Sequence, residues 1–259
     1  MKETDPVALP VGYTLVAFDT IGSTNDEAKE RATAGAPSGT VVWTREQTAG
    51  RGRRGRAWVS PPGNLYCSTL LRPLLDQSAR LSFAAALAIA DTVRTFLPPD
   101  TPVNLKWPND VLVHGAKISG LLLEADLTAP WIVIGIGINL AFHPPEMPYP
   151  CTDLGVHRRT AGMTDPVTPD QALPVLVQVL DRWVHIWEKQ GFSAIRDAWL
   201  KQARGVGQPV TARLPDREIA GVFEALDDSG ALVLRLPDGT RQTITAADVF
   251  FPEKESVSP

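Results

Sequence analysis

The chain has 259 residues, 44% of them hydrophobic, 21% charged and 7% aromatic, which is enough for one large core or two unequal ones. Its 20 glycines and 23 prolines are scattered rather than periodic, which excludes collagen-like and low-complexity chains. A net charge of −4 argues against a main partner that is a polyanion spread over the whole surface.

Met1 to Pro10 lacks a cationic start followed by an apolar run, and an apolar stretch such as Trp131 to Ile138 falls far short of the ~20 residues of a spanning helix. The expectation is a cytoplasmic protein. Cys67 and Cys151 form no CxxC pair, and His114, His143, His157 and His185 show no ligand spacing. Neither a disulfide framework nor a structural transition metal is therefore expected.

In chain order, Thr24 to Glu27 fits a capping box opening a helix over Asn25–Ala34, with Gly35 as its left-handed stop. Val41–Thr44 and Leu65–Leu71 read as strands. Leu81, Ala84, Ala85, Ala88, Val93, Phe96 and Leu97 keep a helical period until Pro98 and Pro99. Val111–Val113 and Lys117–Glu124 flank His114-Gly115-Ala116, which is hairpin chemistry, and Ile132–Leu140 is a buried strand. From His143 to Thr168 the chain is proline-rich and without periodicity, a long loop of the kind that carries function. Leu173, Leu176, Val177, Leu180, Val184 and Trp187 stripe a helix that Pro174 must kink or start, and a further helix follows Gly191. Pro209–Leu214, Glu218–Leu226, Ala231–Leu236 and Arg241–Thr245 are short strands between tight turns. They predict a small antiparallel barrel docked on the first block.

The chemistry concentrates in two segments. Arg45 to Arg56 holds five arginines and one glutamate, so the positive charge of an acidic protein is focused there. Interleaved Gly50, Gly52 and Gly55 let backbone approach a ligand, and guanidinium forks match phosphate and carboxylate oxygens. The pattern predicts an anion site, with an RNA-binding arginine-glycine stripe as its rival. In the second segment, Lys106-Trp107-Pro108-Asn109-Asp110 is followed by Lys117-Ile-Ser-Gly120. Two lysines bracket a turn and hairpin, and Asp110 is suited to hold magnesium or to orient a lysine.

Taken in order, Ser23-Thr24-Asn25, the Gly-Arg-Gly-Arg-Arg-Gly-Arg-x-Trp run of Gly50–Trp58, Lys106–Asp110, the Lys-x-x-Gly of Lys117–Gly120 and the Gly-x-Asn of Gly137–Asn139 resemble the biotin protein ligases. The resemblance spans about Tyr13 to Phe251. It implies an α+β fold: a mixed β-sheet with helices, like the catalytic fold of class II aminoacyl-tRNA synthetases and biotin/lipoate ligases, plus a small C-terminal SH3-like β-barrel. Residues 1–205 would form the catalytic biotin/ATP-binding domain and 206–259 the barrel. About twenty residues precede Ser23, so no DNA-binding helix-turn-helix, and no DNA partner, is expected.

The implied activity is that of a biotin--[acetyl-CoA-carboxylase] ligase. Biotin is activated by ATP to biotinyl-5'-AMP with release of pyrophosphate, then passed to a lysine of a biotin carboxyl carrier protein or domain. Carried over residue by residue, Arg51, Arg53, Lys106 and Lys117 are catalytic. Ser23, Thr24, Asn25, Gln47, Arg51, Gly52, Arg53, Tyr66, Ser68, Lys117 and Gly120 bind biotin. Arg53, Arg54, Arg56, Trp58, Asn109, Lys117 and Asn139 bind ATP or the adenylate, although Trp58 and Trp107 also suit packing, and Gly135 and Gly137 leave room for it. Asp110 is the candidate for Mg²⁺ brought with ATP. The arginine loop is expected to be mobile until an anion orders it.

Two departures stand out. Cys151-Thr152-Asp153-Leu154 introduces a carboxylate near the adenylate region. The last strand, Ala246–Phe251, lacks a terminal basic residue, which leaves the barrel to carrier docking or closure. Exposed edge strands of the central sheet are compatible with a homodimer. A lipoate-protein ligase is the near alternative, though its Arg-Arg-x-Ser-Gly-Gly-Gly loop finds no match. An RNA-binding protein is the alternative from another class.

Overall fold

A computed structural model describes residues 7–73, 80–125 and 131–251. The outer ends of the two expected domains, 1–6 and 252–259, lie outside the described residues. The elements run β1 (Thr14–Ile21), α1 (Thr24–Thr33), β2 (Thr40–Gln47), a 3₁₀ turn (Arg53–Gly55), β3 (Leu65–Leu71), α2 (Leu81–Thr95), β4 (Val103–Lys106), β5 (Asp110–Val113), β6 (Ala116–Ala125), β7 (Ile132–Ile138), α3 (Leu154–Thr160) and α4 (Pro169–Leu200). There follow β8 (Pro209–Arg213), β9 (Glu218–Leu226), β10 (Leu232–Arg235), β11 (Arg241–Ile244) and β12 (Asp248–Phe250).

The first seven strands make one sheet in the order β1-β2-β3-β7-β6-β5-β4. β1 and β2 run parallel, joined through α1, and every other pair is antiparallel. β7 shows how alternation builds the two faces. Ile132, Ile134, Ile136 and Ile138 belong to the main core with α2 and α4. Val133 belongs to a smaller cluster under α1 with Ala28, Val42 and Leu70. Beyond α1, that second face is open, and Gly135 and Gly137 occupy it. α2 is almost wholly buried because its small Ala84, Ala85, Ala86, Ala88 and Ala90 admit close neighbours on every side. Phe83 locks it to α4 through edge-on contacts with Phe192 and Trp199 at 5.4 and 5.5 Å.

Most elements fall where periodicity puts them, and the departures have physical causes. β1 is missing from the sequence reading, because its mixed burial on an edge gives only a weak pattern. Thr24 does not cap α1. Ser23 is the N-cap without a side-chain cap bond, Thr24 turns its hydroxyl to Gln47, and Glu27 pairs with Arg31 at 2.6 Å. The stretch 143–168 is not irregular throughout: it contains α3, whose first turn is capped by Asp153 accepting from Val156 N–H at 2.8 Å. The departure at Asp153 is thereby explained, since its other oxygen holds His143 Nδ1 at 2.6 Å. α4 begins at a Thr168–Gln171 capping box, keeps Pro174 inside, and breaks at Gly191, where φ is +74° and glycine is at ease.

The remaining strands form an antiparallel sheet ordered β11-β10-β9-β8-β12. It docks on the first: Val210, Phe223, Leu232 and Val249 join the same core, and Trp107 Nε1 donates to Gly230 O at 3.0 Å across the seam. Gln202 and Arg204 hydrogen-bond to both backbone groups of Leu105, continuing the large sheet past β4.

Candidate active site

The open face of the sheet floors a cavity of about 780 Å³, walled by the N-terminus of α1, the arginine loop, the β4–β5 turn, the 148–150 segment and the barrel edge. One end is polar and tightly woven. Gln47 Oε1 accepts from Thr24 N–H and hydroxyl at 2.9 and 3.1 Å, and its amide donates to Ser60 Oγ at 3.0 Å. Ser68 Oγ lies 2.8 Å from Thr24 Oγ1 and 2.6 Å from Asn25 Oδ1. Ser68 is fully buried behind these two residues and does not line the cavity.

Asn25 leads to a residue that the sequence reading overlooked. Its amide donates to Glu124 Oε2 at 2.7 Å, and Glu124 also receives Lys29 at 3.0 Å and Arg51 at 3.2 Å. Burial opposes ionisation of this carboxyl, but the donors from Asn25 and Lys29 and the Arg51 charge prevail, leaving its pKa below the ordinary carboxylate value. Face parity along β6 identifies it: Gly120, Leu122 and Glu124 stand opposite Gly137, Gly135 and Val133, all on the cavity side.

The glycines of β7 and β6 clear space for protein groups. A Cβ at Gly135 would fall 2.0 Å from Asn25 Oδ1, one at Gly137 2.5 Å from Trp58 Nε1, and one at Gly120 3.2 Å from the Trp58 ring. Trp58 thus lies on the cavity floor instead of in the core, with Lys117 Nζ 5.5 Å from its ring centre.

The arginine loop does not stand as an array of bare charges. Arg51 pairs with Asp26 at 2.6 Å as well as with Glu124. Arg53 Nη1 donates to Asn109 Oδ1 at 3.2 Å, and Asn109 is itself fixed on Leu121 O. Arg54 and Arg56 both meet Asp248 of β12. These partners offset the repulsion from which mobility was expected. Arg54 is not among the residues that line the cavity.

Lys117 Nζ meets Asp110 Oδ1 at 2.6 Å, so Asp110 orients a lysine, the second of the two roles the sequence allowed. Lys106 has ring partners instead, with Phe250 and Phe251 at 5.7 and 5.9 Å. Burial is the main cause that lowers its pKa, with the Lys117 charge adding to it and Asp110 opposing. Arg53 is likewise lowered, by burial first and then by Arg54. Tyr66 and Asn139 stand behind the wall. The Tyr66 hydroxyl donates to Pro61 O at 2.8 Å, and Asn139 Nδ2 donates to Thr152 O at 3.0 Å, fixing the approach to α3. Among the described residues, no three Asp, Glu, His or Cys side chains converge as a metal cage. A single carboxylate such as Asp110 matches an ion brought by a nucleotide's phosphates better than a resident one.

Asp248, Phe250, Phe251 and Arg213 line the cavity, so the small sheet forms part of the wall of the candidate site, which the sequence did not suggest.

Residues 17–139 match the Biotin/lipoate A/B protein ligase family, and residues 205–251 match the Biotin protein ligase C terminal domain. A Paracoccus denitrificans protein named biotin--[acetyl-CoA-carboxylase] ligase is 43% identical over 237 residues, 88% of this chain and 97% of its own length. The chain belongs to the biotin protein ligase family. A Mycobacterium tuberculosis protein of the same name is 31% identical over 88% of this chain and 85% of its own length. Among solved structures, a biotin protein ligase from Aquifex aeolicus in complex with biotin and ATP superposes with a TM-score of 0.78 at 25% identity, over 92% of this chain and 98% of that one. As a member of the biotin protein ligase family, the chain has the expected mixed-sheet catalytic fold with a C-terminal antiparallel domain. No helix among the described residues is long and apolar enough to cross a membrane.

Proposed function

We propose that this chain is an ATP-dependent biotin protein ligase that joins biotin to the α-phosphorus of ATP, releases pyrophosphate, and passes the acyl group to a lysine of a carboxylase's biotin carboxyl carrier domain. One observation carries the reading. The polar weave of Thr24, Asn25 and Gln47 and the cations Arg53, Arg56, Lys106 and Lys117 share a single cavity of about 780 Å³, within the range of small-ligand sites.

Both steps are problems of charge. A carboxylate must approach a triphosphate, so the work lies in positioning the two and in placing cations where negative charge develops. Ser23, Thr24, Asn25 and Gln47 supply donors and acceptors for biotin's ureido edge. The Trp58 ring and Gly120 give its apolar bicycle a flat wall, and Gly52 backbone closes over it. Lys117, turned by Asp110, reaches the carboxylate, and Arg51 holds the α1–β6 corner of the pocket. Arg53, Arg56 and Asn109 face the nucleotide, Arg54 acts from outside the lining, and Lys106 balances charge on the leaving pyrophosphate. Tyr66, Ser68 and Asn139 support the wall. Mg²⁺ arriving with ATP would take Asp110 as its protein ligand and neutralise phosphate charge. A carboxylate oxygen then forms the bond to phosphorus as pyrophosphate departs. In the second step the acceptor amine attacks the acyl carbon, gives up a proton, and AMP leaves.

We divide the chain at residues 205 and 206, assign it to the cytoplasm, and place any homodimer contact at the open edge of β1. The functional test incubates the protein with biotin, MgATP and a carrier domain, following pyrophosphate and intact mass. The expected result is one biotinyl addition on one lysine. Absence of pyrophosphate release in the presence of biotin overturns the reading.

A further inference from the structure

Asp248 opens β12 at the edge of the barrel, opposite Arg213 in the β8–β12 pairing. Its two oxygens are shared between two arginines of the catalytic loop: Arg54 Nη1 lies 3.3 Å from Oδ2, and Arg56 Nη2 lies 3.1 Å from Oδ1. The loop is a small closed lobe. Arg51 and Ala57 form a bridge across its neck, and Gly52 N–H donates to Arg56 O at 2.7 Å. At its tip Arg54 adopts a left-handed backbone, φ 56° and ψ 34°, a conformation that non-glycine residues rarely take. The other loop arginines reach the large sheet's own neighbours, Asp26, Glu124 and Asn109. Asp248 therefore ties the tip of the lobe to a different sheet, nearly two hundred residues away in sequence.

One carboxylate between two guanidiniums holds them together yet leaves the trio with a net positive charge. An anion in the cavity is still attracted, so the tether does not need to break for a nucleotide to bind. We infer that Asp248 is a positioning residue that pins the arginine loop to the barrel and so keeps the reaction chamber closed over the acyl-adenylate. The inference rests on the ligase reading for the identity of the retained intermediate. It gives the barrel a task within the first half-reaction, before any carrier arrives.

The test times the escape of preformed, labelled biotinyl-adenylate chased with unlabelled biotin, and in parallel the rate of tryptic cleavage after Arg51 to Arg56. For Asp248→Asn, escape is expected to quicken about five- to tenfold, the scale of two charge-assisted contacts at a half-exposed site, and tryptic cleavage to quicken with it. Asp248→Glu should restore both rates to within about twofold of the unaltered protein. In an Arg54→Gln, Arg56→Gln background, Asp248→Asn should add nothing. Unchanged escape and cleavage in Asp248→Asn, or an additive effect in the double-glutamine background, overturns the tether. Slower escape with tighter ATP binding also overturns it, by making the carboxylate a competitor of phosphate. If the unaltered protein makes no adenylate, the ligase reading fails, and the cleavage rates still decide whether Asp248 orders the loop.

Discussion

Lys106 shows how burial and function press against one another in a single side chain. Surrounded by Phe250 and Phe251, it has lost water without gaining a carboxylate in contact, and its pKa lies below that of a free lysine. If Lys106 serves adenylation as proposed, its working form is the ammonium, and activity is expected to fall as pH rises through that lowered value, earlier than an exposed lysine would cause. The alkaline limb of kcat/KM for ATP is therefore expected below the ordinary lysine range, since this ratio reports groups of the free enzyme. Lys106→Arg keeps its charge throughout and should lose the limb; an unchanged limb assigns it to another group. Lys117 differs, because Asp110 meets it at 2.6 Å and holds it in place. Lys117→Gln is expected to slow biotin-dependent pyrophosphate release by roughly 100-fold, the usual loss for one preorganised donor, with the melting temperature little changed. A loss of less than about tenfold would remove Lys117 from the reacting centre.

β7 can be read as a strand made thin where other elements must pass. Its isoleucines feed the core on one side, while the bare backbone at Gly135 and Gly137 admits Asn25 from α1 and Trp58 from the arginine loop. A methyl group at Gly135 would stand 2.0 Å from Asn25 Oδ1, so Asn25 must leave and release Glu124, Ser68 and the floor of the pocket. Gly135→Ala should therefore cost about 1–3 kcal/mol of stability by overpacking, measured by urea unfolding, and weaken biotin binding in calorimetry at least tenfold, the effect of about 1.4 kcal/mol. Retained biotin affinity would show that Asn25 is not part of the pocket. The same strand explains a limit of pattern reading. Gly-x-Gly signals close approach, yet the spacing cannot say whether a ligand or another side chain approaches.

The two sheets share a core and a polar seam. Phe83 and Phe192 pack beneath Gly230, Trp199 stands edge-on to Phe83, and Trp107 Nε1 donates to the Gly230 carbonyl at 3.0 Å. Trp107→Phe leaves that carbonyl without its donor, an expected loss of about 1–3 kcal/mol. Unfolding followed by far-ultraviolet circular dichroism and by tryptophan fluorescence should remain a single coincident transition in the unaltered protein. Two separated transitions would show the barrel to be an independent unit, against the continuous core seen here.

Local order was legible from the chain alone wherever it depends on near neighbours. Leu65–Leu71 and Glu218–Leu226 emerged with the boundaries read from the sequence, the His114-Gly115 turn emerged between its strands, and the Gly191 break separated two helical stretches. The same holds for the clustering of the candidate site residues: Arg53, Lys106, Lys117 and Gln47 do gather in one cavity. Partnerships across the fold were beyond reach. Glu124 joining Asn25, Lys29 and Arg51, Asp110 turning Lys117, and Asp248 spanning Arg54 and Arg56 each link residues that share no period or motif. Periodicity reports which side of an element is buried, because that depends on backbone geometry repeated every two or 3.6 residues. Which carboxylate meets which cation depends on how separate elements are stacked, and that is fixed by the packing of the whole core.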